Sequence, residues 1–303
     1  MKRKSIILII ILAGIMVSSC QKSEPLEAVS IEAADDAVLS EALFDDAFAS
    51  LEIATLVAET GTKSATVLDS CPLITVTSPG PDFWPRNIVI DYGTGCTGLN
   101  DVVRSGKIIV TLSEPRRQVG SMRSLTFEEY YVNGAMVEGT KTVTNLGLNS
   151  NQNTVFSVTL SGGKITFADE KTITREYVRE REYIAGYETW NPWDDICLIT
   201  GAATGTNLDG QAYTHTITSA LEWHAACRFL VGGSVTFSIE GVEPFLLDYG
   251  DGECDAYATL SRGDDTREIA IRVRHPKYNF SMYDQRWPAR ALRNVIYPVM
   301  PSG

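Results

Sequence analysis

Beyond residue 60, short runs of β-branched and aromatic residues alternate with turn-forming residues along most of the chain. Residues 73–77, 107–112 and 154–160 are examples, each rich in Ile, Val and Thr. Asn133-Gly134 separates two such runs and is the strongest short-range signal for a two-residue β-hairpin. Because almost no helical period interrupts this pattern, it predicts a mainly β, antiparallel body rather than β-α-β units.

Several glycine-rich stretches divide these runs further. Residues 161–163, 208–211 and 231–234 are predicted as turns, and residues 202–206 as a bend between strands. Residues 171–183 are highly charged and fit either a long solvated strand or a short helix. Their aromatic and branched residues favour a strand with one exposed face.

One segment, residues 35–60, has a sustained helical period. It predicts an acidic amphipathic helix whose apolar face packs on the β body; a partner-binding or lid helix is the alternative. Its apolar positions are spaced by about four residues and its acids fall on the other side. The apolar residues are Leu39, Leu43, Phe44, Ala47, Phe48 and Leu51, and the acids are Glu41, Asp45, Glu52 and Glu59.

Two distant segments, 88–96 and 245–254, resemble each other. Each has a strand-like run that ends in Asp-Tyr-Gly, followed by a glycine-rich reversal, a cysteine and a returning strand. This similarity predicts two related β-halves, residues 61–190 and 191–303, built as antiparallel meander or sandwich-like sheets. The sequence leaves open whether the halves form two domains or one continuous sheet.

The cysteine spacing follows the same similarity. Cys71 precedes Cys96 by 25 residues and Cys227 precedes Cys254 by 27. We therefore expect disulfides Cys71–Cys96 and Cys227–Cys254, which suit an exported protein. Cys197 is left over in an apolar run, where a buried inert thiol is expected.

The amino terminus combines three basic residues, an apolar run at residues 6–15 and the sequence Val17-Ser18-Ser19-Cys20. The run is too short to span a bilayer comfortably. This arrangement resembles a bacterial lipoprotein signal peptide with its lipobox. The resemblance implies a signal at residues 1–19, acylation of Cys20 and a lipidated tether at residues 20–34. An ordinary amino-terminal helix or a retained membrane anchor is the alternative.

The whole chain resembles envelope lipoproteins of the Bacteroidota type that have no known biochemical activity. Sheet-and-turn motifs at residues 104–110, 130–145, 200–210 and 248–255 carry the resemblance together with the lipobox. It implies a protein anchored to the cell outer membrane through acyl chains on Cys20, and it implies no reaction. Surface and periplasmic orientations both remain open.

Charge restricts the partners. The chain carries a formal net charge of −12. Loss of Lys2, Arg3 and Lys4 with the signal would make the mature chain more acidic still. Such acidity argues against nucleic acid and anionic membrane surfaces, and it is compatible with cationic partners or neutral glycans.

Catalytic and cofactor motifs are not found in the sequence. The three histidines have no metal-ligand spacing, and no nucleophile elbow or phosphate-binding glycine loop is present. The acidic stretch at residues 248–255 raises a calcium hypothesis, but its spacing does not fit an EF-hand loop and favours a solvated hairpin. We therefore expect no enzyme, no metal and no cofactor.

Tryptophans are the ligand-binding candidates. Trp190 and Trp193 flank Asn191-Pro192 between acids, and Trp84 lies in a second polar-aromatic spot. A flat ring beside hydrogen-bonding groups suits a sugar, although loop aromatics that fold back on the core are the alternative.

Three functions follow from these observations. The first is a non-enzymatic structural or protein-interaction module that uses its sheet face or its acidic helix. The second is a surface glycan-binding lipoprotein that uses exposed tryptophans. The third is a lipid or lipoprotein carrier, which requires an apolar cavity between a curved sheet and the helix.

Overall fold

The computed structural model describes residues 28–60, 71–80, 83–97, 102–189, 194–227, 229–255, 257–270, 274–275 and 280–281. A single described helix, α1 (Ala28–Thr60), precedes a series of strands. The strands are β1 (Leu73–Thr77), β2 (Arg86–Asp91), β3 (Cys96–Thr97), β4 (Val103–Leu112), β5 (Met122–Val132), β6 (Ala135–Leu148), β7 (Thr154–Thr166), β8 (Thr172–Ala185), β9 (Ile196–Thr206), β10 (Ala212–His224), β11 (Phe229–Ile239), β12 (Val242–Asp251), β13 (Tyr257–Arg262), β14 (Asp265–Ala270), β15 (Arg274–His275) and β16 (Phe280–Ser281).

The strands form an antiparallel meander, which confirms the predicted mainly β class. One 14-stranded sheet follows the order of the chain from β1 to β14, with β3 paired to the side of β4, and β15 pairs with β16 separately. The sheet crosses the predicted boundary between residues 190 and 191 without a break. There, β8 and β9 pair from Thr174↔Thr206 to Ala185↔Ile196. The described strands therefore form one continuous sheet, which is one of the two arrangements that the sequence left open.

Helix α1 begins at Ala28, earlier than the predicted start at residue 35, so the predicted tether at residues 20–34 is helical in its last part. Residues 26–34 contain neither glycine nor proline and include three alanines, so nothing in them opposes the helix. No helix in the described ranges combines the length and the apolar character that crossing a membrane requires.

Apolar side chains of α1 pack against one face of the sheet, which we call the inner face. Leu39, Leu43, Phe44 and Leu51 of the helix are at most 1% exposed and share a core cluster with sheet residues such as Ile108. The predicted docking of the helix on the β body is thus confirmed. A second cluster joins Ala33 and Ala37 to residues of β9 to β13, so the helix contributes to the core along its length.

The sheet curves around the helix. Asp45 and Asp46 project about 100° apart on an α-helix. Nevertheless, Asp46 bonds Arg104 of β4, while Asp45 faces Lys141 of β6 and Arg181 of β8. Consistent with this, every α1 side chain whose burial is described is buried or half-buried. The described side chains of the helix are therefore largely enclosed by the sheet.

Two of the predicted turns are wrong. Residues 161–163 lie inside β7, where the register with β8 shifts between Leu160 and Gly163. Residues 231–234 lie inside β11 at a similar irregularity, and residues 202–206 belong to β9. At these irregularities the neighbouring strand comes close enough to require glycine: a Cβ on Gly163 would lie 2.4 Å from the Arg175 carbonyl oxygen, and one on Gly233 would lie 2.1 Å from the Ala220 carbonyl oxygen.

Other local predictions are confirmed. Asn133 and Gly134 have φ angles of 47° and 82°, as a type I′ turn requires, and connect β5 to β6. Residues 208–211 connect β9 to β10, and most of residues 171–183 form strand β8. The sequence signals were therefore correct where the turn residues had no competing strand partner.

Both predicted cysteine pairs form disulfides. Cys71 and Cys96 are joined with Cα atoms 5.9 Å apart, and Cys227 and Cys254 with Cα atoms 5.6 Å apart. Cys197 is a buried free cysteine on β9, as predicted. Burial raises the pKa of its thiol to about 11, which leaves it protonated and unreactive at neutral pH.

Candidate functional site

Strand β8 separates charge across the sheet. Its side chains alternate between the inner face and the opposite, outer face, as a strand period of two requires. The arginines all lie inside and the acids all lie outside, so the two faces of one strand have opposite charge. The inner residues are Arg175, Tyr177, Arg179 and Arg181, and the outer residues are Glu176, Val178, Glu180 and Glu182.

On the inner face, Glu41 of α1 joins two of these arginines. Arg179 donates from Nη1 and Nη2 to the Glu41 carboxylate at 2.5 and 3.0 Å, and Arg175 donates from Nη2 to Oε2 of the same group. Burial favours a higher pKa for Glu41. The Arg175 and Arg179 cations outweigh that effect and hold the pKa well below its usual range. Glu41 is thus a fixed anion within the fold.

The remaining acids of the predicted free side of α1 are also paired with sheet cations. The prediction that these acids lie opposite the packed face of the helix is therefore wrong, because the sheet curves far enough to reach them. The pairs are Asp45 with Lys141 at 3.5 Å and Arg181 at 3.6 Å, Glu52 with Arg123 at 2.6 Å and Arg116 at 3.7 Å, and Glu59 with Arg116 at 3.5 Å.

His215 on β10 lies at the end of this inner network. Its Nδ1 is 3.4 Å from Nη1 of Arg175. The centroid of its ring lies 4.5 Å from that of Tyr213 and 4.0 Å from that of Phe237. Burial, followed by the nearby Arg175 and Arg179, lowers the pKa of His215 well below 6.5. His215 is thus a buried neutral histidine that accepts a hydrogen bond from an arginine within the packed interior.

The outer face carries a cleft of about 320 Å³ that spans β6 to β10. Its aliphatic lining comes from Leu146 and Leu148 of β6, Val155 of β7 and Leu198 of β9. Leu146 is 49% and Leu148 60% exposed, which is unusual for leucines on a sheet face. A smaller cleft of about 160 Å³ shares Leu148 and continues towards Arg117, Val119 and Tyr187.

Acids at the large cleft lack a cation beside them. Other ions on this face pair across neighbouring strands, as Lys107 does with Glu128 and Lys164 with Glu138. The cleft lining contains Glu180 and Glu182 but neither lysine nor arginine. Within the described ranges, the side-chain carboxylate of Glu180 has no ion-pair or hydrogen-bond partner. The outer face therefore combines exposed aliphatic side chains with an uncompensated negative charge.

A row of small side chains crosses the outer face beside the cleft. The strand registers place one residue from each of seven neighbouring strands directly opposite the next, and Val178, the member from β8, is 66% exposed. The residues of this row have small, uncharged side chains, so this part of the outer face is flat. From β4 to β10 it runs through Thr111, Ser124, Thr142, Thr159, Val178, Ala202 and Thr216.

The predicted site residues have different outcomes. Cys20, Trp190 and Trp193 lie outside the described residues. Trp84 is half-buried against the core, and the guanidinium carbon of Arg86 lies 4.5 Å from its ring centroid. The Trp84 ring thus contacts both the core and the Arg86 guanidinium, which favours the alternative that this loop aromatic packs on the β body.

The acidic stretch at residues 248–255 begins on strand β12, where Asp248 accepts a hydrogen bond from the backbone of Gly250 at 2.8 Å. In the described part of the chain, no three His, Cys, Asp or Glu side chains are grouped closely enough to hold a metal ion. The calcium hypothesis therefore gains no support from the geometry.

The cleft residues were missed by sequence reasoning. The Arg-Glu alternation in residues 175–182 was visible as a period of two, but the sequence did not say which set faces the helix. Leu146 and Leu148 were indistinguishable from core leucines until the strand register placed them outside. No protein-family model, no curated protein and no solved structure matches this chain.

Proposed function

We propose that this chain is a lipid-anchored protein of the cell envelope, attached to the outer membrane through Cys20. Its β body serves as a non-enzymatic module that binds a protein partner with the outer face of the sheet. The basic start, short apolar run and Val17-Ser18-Ser19-Cys20 support the anchor. Exposed aliphatic side chains beside acids that have no cation in the cleft lining support the binding role.

One observation carries the choice of surface. Five acids of α1 are paired with sheet cations, and the described side chains of the helix are all at least half-buried. The described part of the acidic helix therefore offers less open surface than the outer face of the sheet. The interior beneath it is filled by Leu43, Phe44 and Leu51, so the described region lacks the cavity that a lipid carrier requires.

The anchor is tested by labelling with a radioactive or clickable palmitate analogue. The wild type should incorporate the label and fractionate with membranes, whereas Cys20→Ala should do neither. Protease treatment of intact cells, with a periplasmic protein as control, then distinguishes the surface from the periplasmic side. Equal labelling of Cys20→Ala would remove the lipid anchor from the proposal.

The binding role is tested by photo-crosslinking in cells. A benzoylphenylalanine placed at Val178 should give a discrete protein adduct, because this side chain stands at the centre of the outer face. The same group at Tyr257, which is 46% exposed on the same face of the sheet but five strands away from β8 on β13, is the control for position and should give none. Equal adducts from both positions, or none from Val178, would contradict the proposed surface.

Glycan binding is the second candidate. The smaller outer cleft is lined by Tyr187 and Glu188, and Arg117 donates to the carbonyl oxygens of Tyr187 and Thr189 at 3.0 and 2.9 Å. This arrangement fixes the segment that leads into the predicted tryptophan pair. A glycan screen in which Trp190→Ala and Trp193→Ala abolish binding would support this candidate over a protein partner.

A further inference from the structure

We infer that the large outer cleft binds a polypeptide segment in which aliphatic side chains are flanked by lysine or arginine. This inference rests on the proposed function, since it names the chemistry of the partner that the outer face binds. It commits to one occupant, a basic and aliphatic segment of another protein.

The apolar part of the argument is the exposure of two leucines on the same face of β6. Leu146 and Leu148 stand two residues apart, and Val155 and Leu198 lie beside them in the lining. About 320 Å³ is at the lower end of the volumes of ligand-binding clefts and accommodates a few aliphatic side chains. Transfer of such side chains from water into the cleft is favourable.

The negative charge of the cleft favours lysine or arginine beside the aliphatic residues of the bound segment. Glu182 is held in place by Asn149 and Asn153, whose Nδ2 groups each donate to Oε1 at 2.7 Å. These hydrogen bonds lower the pKa of Glu182, so it is ionised at neutral pH. Glu180 lines the same cleft without a partner among the described residues. Two carboxylates without a cation in the lining favour a positively charged partner.

The inner face explains why this charge stays uncompensated. The cations nearest to the two acids in sequence, Arg179 and Arg181, project to the inner face and pair with Glu41 and Asp45. Strand alternation therefore prevents them from neutralising the outer carboxylates. The same carboxylates disfavour nucleic acid and anionic lipid headgroups as occupants.

The test uses the mature chain with Cys20→Ala and a fluorescent hexapeptide, Lys-Leu-Lys-Val-Lys-Leu, with anisotropy as the readout. A second peptide replaces Leu and Val by Ser, and a third replaces Lys by Glu. We expect saturable binding of the first peptide alone, weakened by added salt because exposed charges are screened.

Variants locate the binding. Glu180→Gln with Glu182→Gln should weaken binding by about tenfold, and Leu148→Ser by about fivefold. Glu176→Gln is the matched control, since Glu176 lies on the same face of β8 but does not line the cleft. It should change the affinity by less than about twofold. Circular dichroism and melting curves confirm that each variant is folded.

The outcomes separate the two proposals. The inference would be overturned if the basic aliphatic peptide did not bind, or if the serine peptide bound with the same affinity. It would also be overturned if Glu176→Gln weakened binding as much as the cleft variants do. If the Val178 crosslink still forms in cells, the proposed function stands and only the partner chemistry fails. If that crosslink is also missing, the outer face is not the binding surface and both proposals fail.

Discussion

The carboxylate of Glu41 accepts two hydrogen bonds from the guanidinium of Arg179, at 2.5 and 3.0 Å. These residues lie 138 positions apart, one on the helix and one on the middle of the sheet. A bidentate pair of this kind fixes orientation as well as distance. It anchors α1 to the inner face of β8. Because side chains alternate along the strand, the glutamates of β8 lie on the outer face.

Removal of the Glu41 charge should strongly destabilise the fold. In Glu41→Gln, the guanidiniums of Arg175 and Arg179 would remain buried without their anion, and the side chains are only 2% and 9% exposed. We expect a loss of about 3 kcal/mol in the free energy of unfolding, measured by urea denaturation. Glu180→Gln on the outer face is the control and should stay within about 0.5 kcal/mol of the wild type. A loss below about 1 kcal/mol in Glu41→Gln would contradict the role assigned to this pair.

Stability should fall as the pH drops below 6.5, partly through His215. Its pKa in the folded state is below the unfolded value of 6.5, so the unfolded chain takes up the proton first and acid favours unfolding. One such group contributes at most about 2 kcal/mol between pH 6.5 and 5.0. Urea unfolding at pH 7.5 and 5.0 should show a smaller difference in His215→Gln than in the wild type. An equal change in the free energy of unfolding in both proteins would show that His215 does not cause the pH dependence. Glu41 does not contribute over this range, because its lowered pKa keeps it ionised.

Asp195 should have the opposite dependence on pH. Burial, with a further contribution from Asp194, raises its pKa to about 6, although Arg116 opposes the shift. The folded state therefore holds the proton more tightly, and its stability decreases as the pH rises from about 4 to above 6. Asp195→Asn should stabilise the protein at pH 7.5 by about 1 kcal/mol, after allowance for its partial exposure, and raise the melting temperature by about 2 °C. The gain should vanish near pH 4, and a gain of equal size at both pH values would refute the assignment.

Cys197 should be unreactive in the folded protein. It is buried, and its raised pKa keeps the thiol protonated. In a Cys20→Ser background without reductant, a thiol reagent such as Ellman's should detect no thiol in the native chain. In denaturant it should detect one, because the other four cysteines form disulfides. Rapid labelling of the native protein, or more than one thiol in denaturant, would contradict these assignments.

Local sequence signals predicted hairpins better than bulges. Asn133-Gly134 specifies its own turn, because both residues adopt positive φ without help from the rest of the chain. Gly162-Gly163 carries a similar signal but lies within β7. There, pairing with β8 outweighs the tendency to turn, and Gly163 permits a close backbone approach at Arg175. A single sequence does not show which neighbour a glycine will meet.

The candidate site was less predictable than the fold. Residues 175–182 show alternating arginine and glutamate, and that alternation is compatible with either set facing outward. The choice depends on Glu41 and Asp45, which lie more than 130 residues earlier on α1 and pair with the arginines. The exposed state of Leu148 likewise follows from strand register and not from its hydrophobicity.

The sequence by itself determined the β-rich body, the acidic helix, both disulfide pairs and the buried Cys197, because each depends on local propensity or on an internal similarity. Tertiary structure decided that the strands form one continuous sheet and that this sheet curves around α1. It also decided that the helix acids meet arginines while the glutamates of β8 line an outer cleft. These outcomes depend on long-range charge pairing and on strand register, and only the folded chain brings the residues involved into contact.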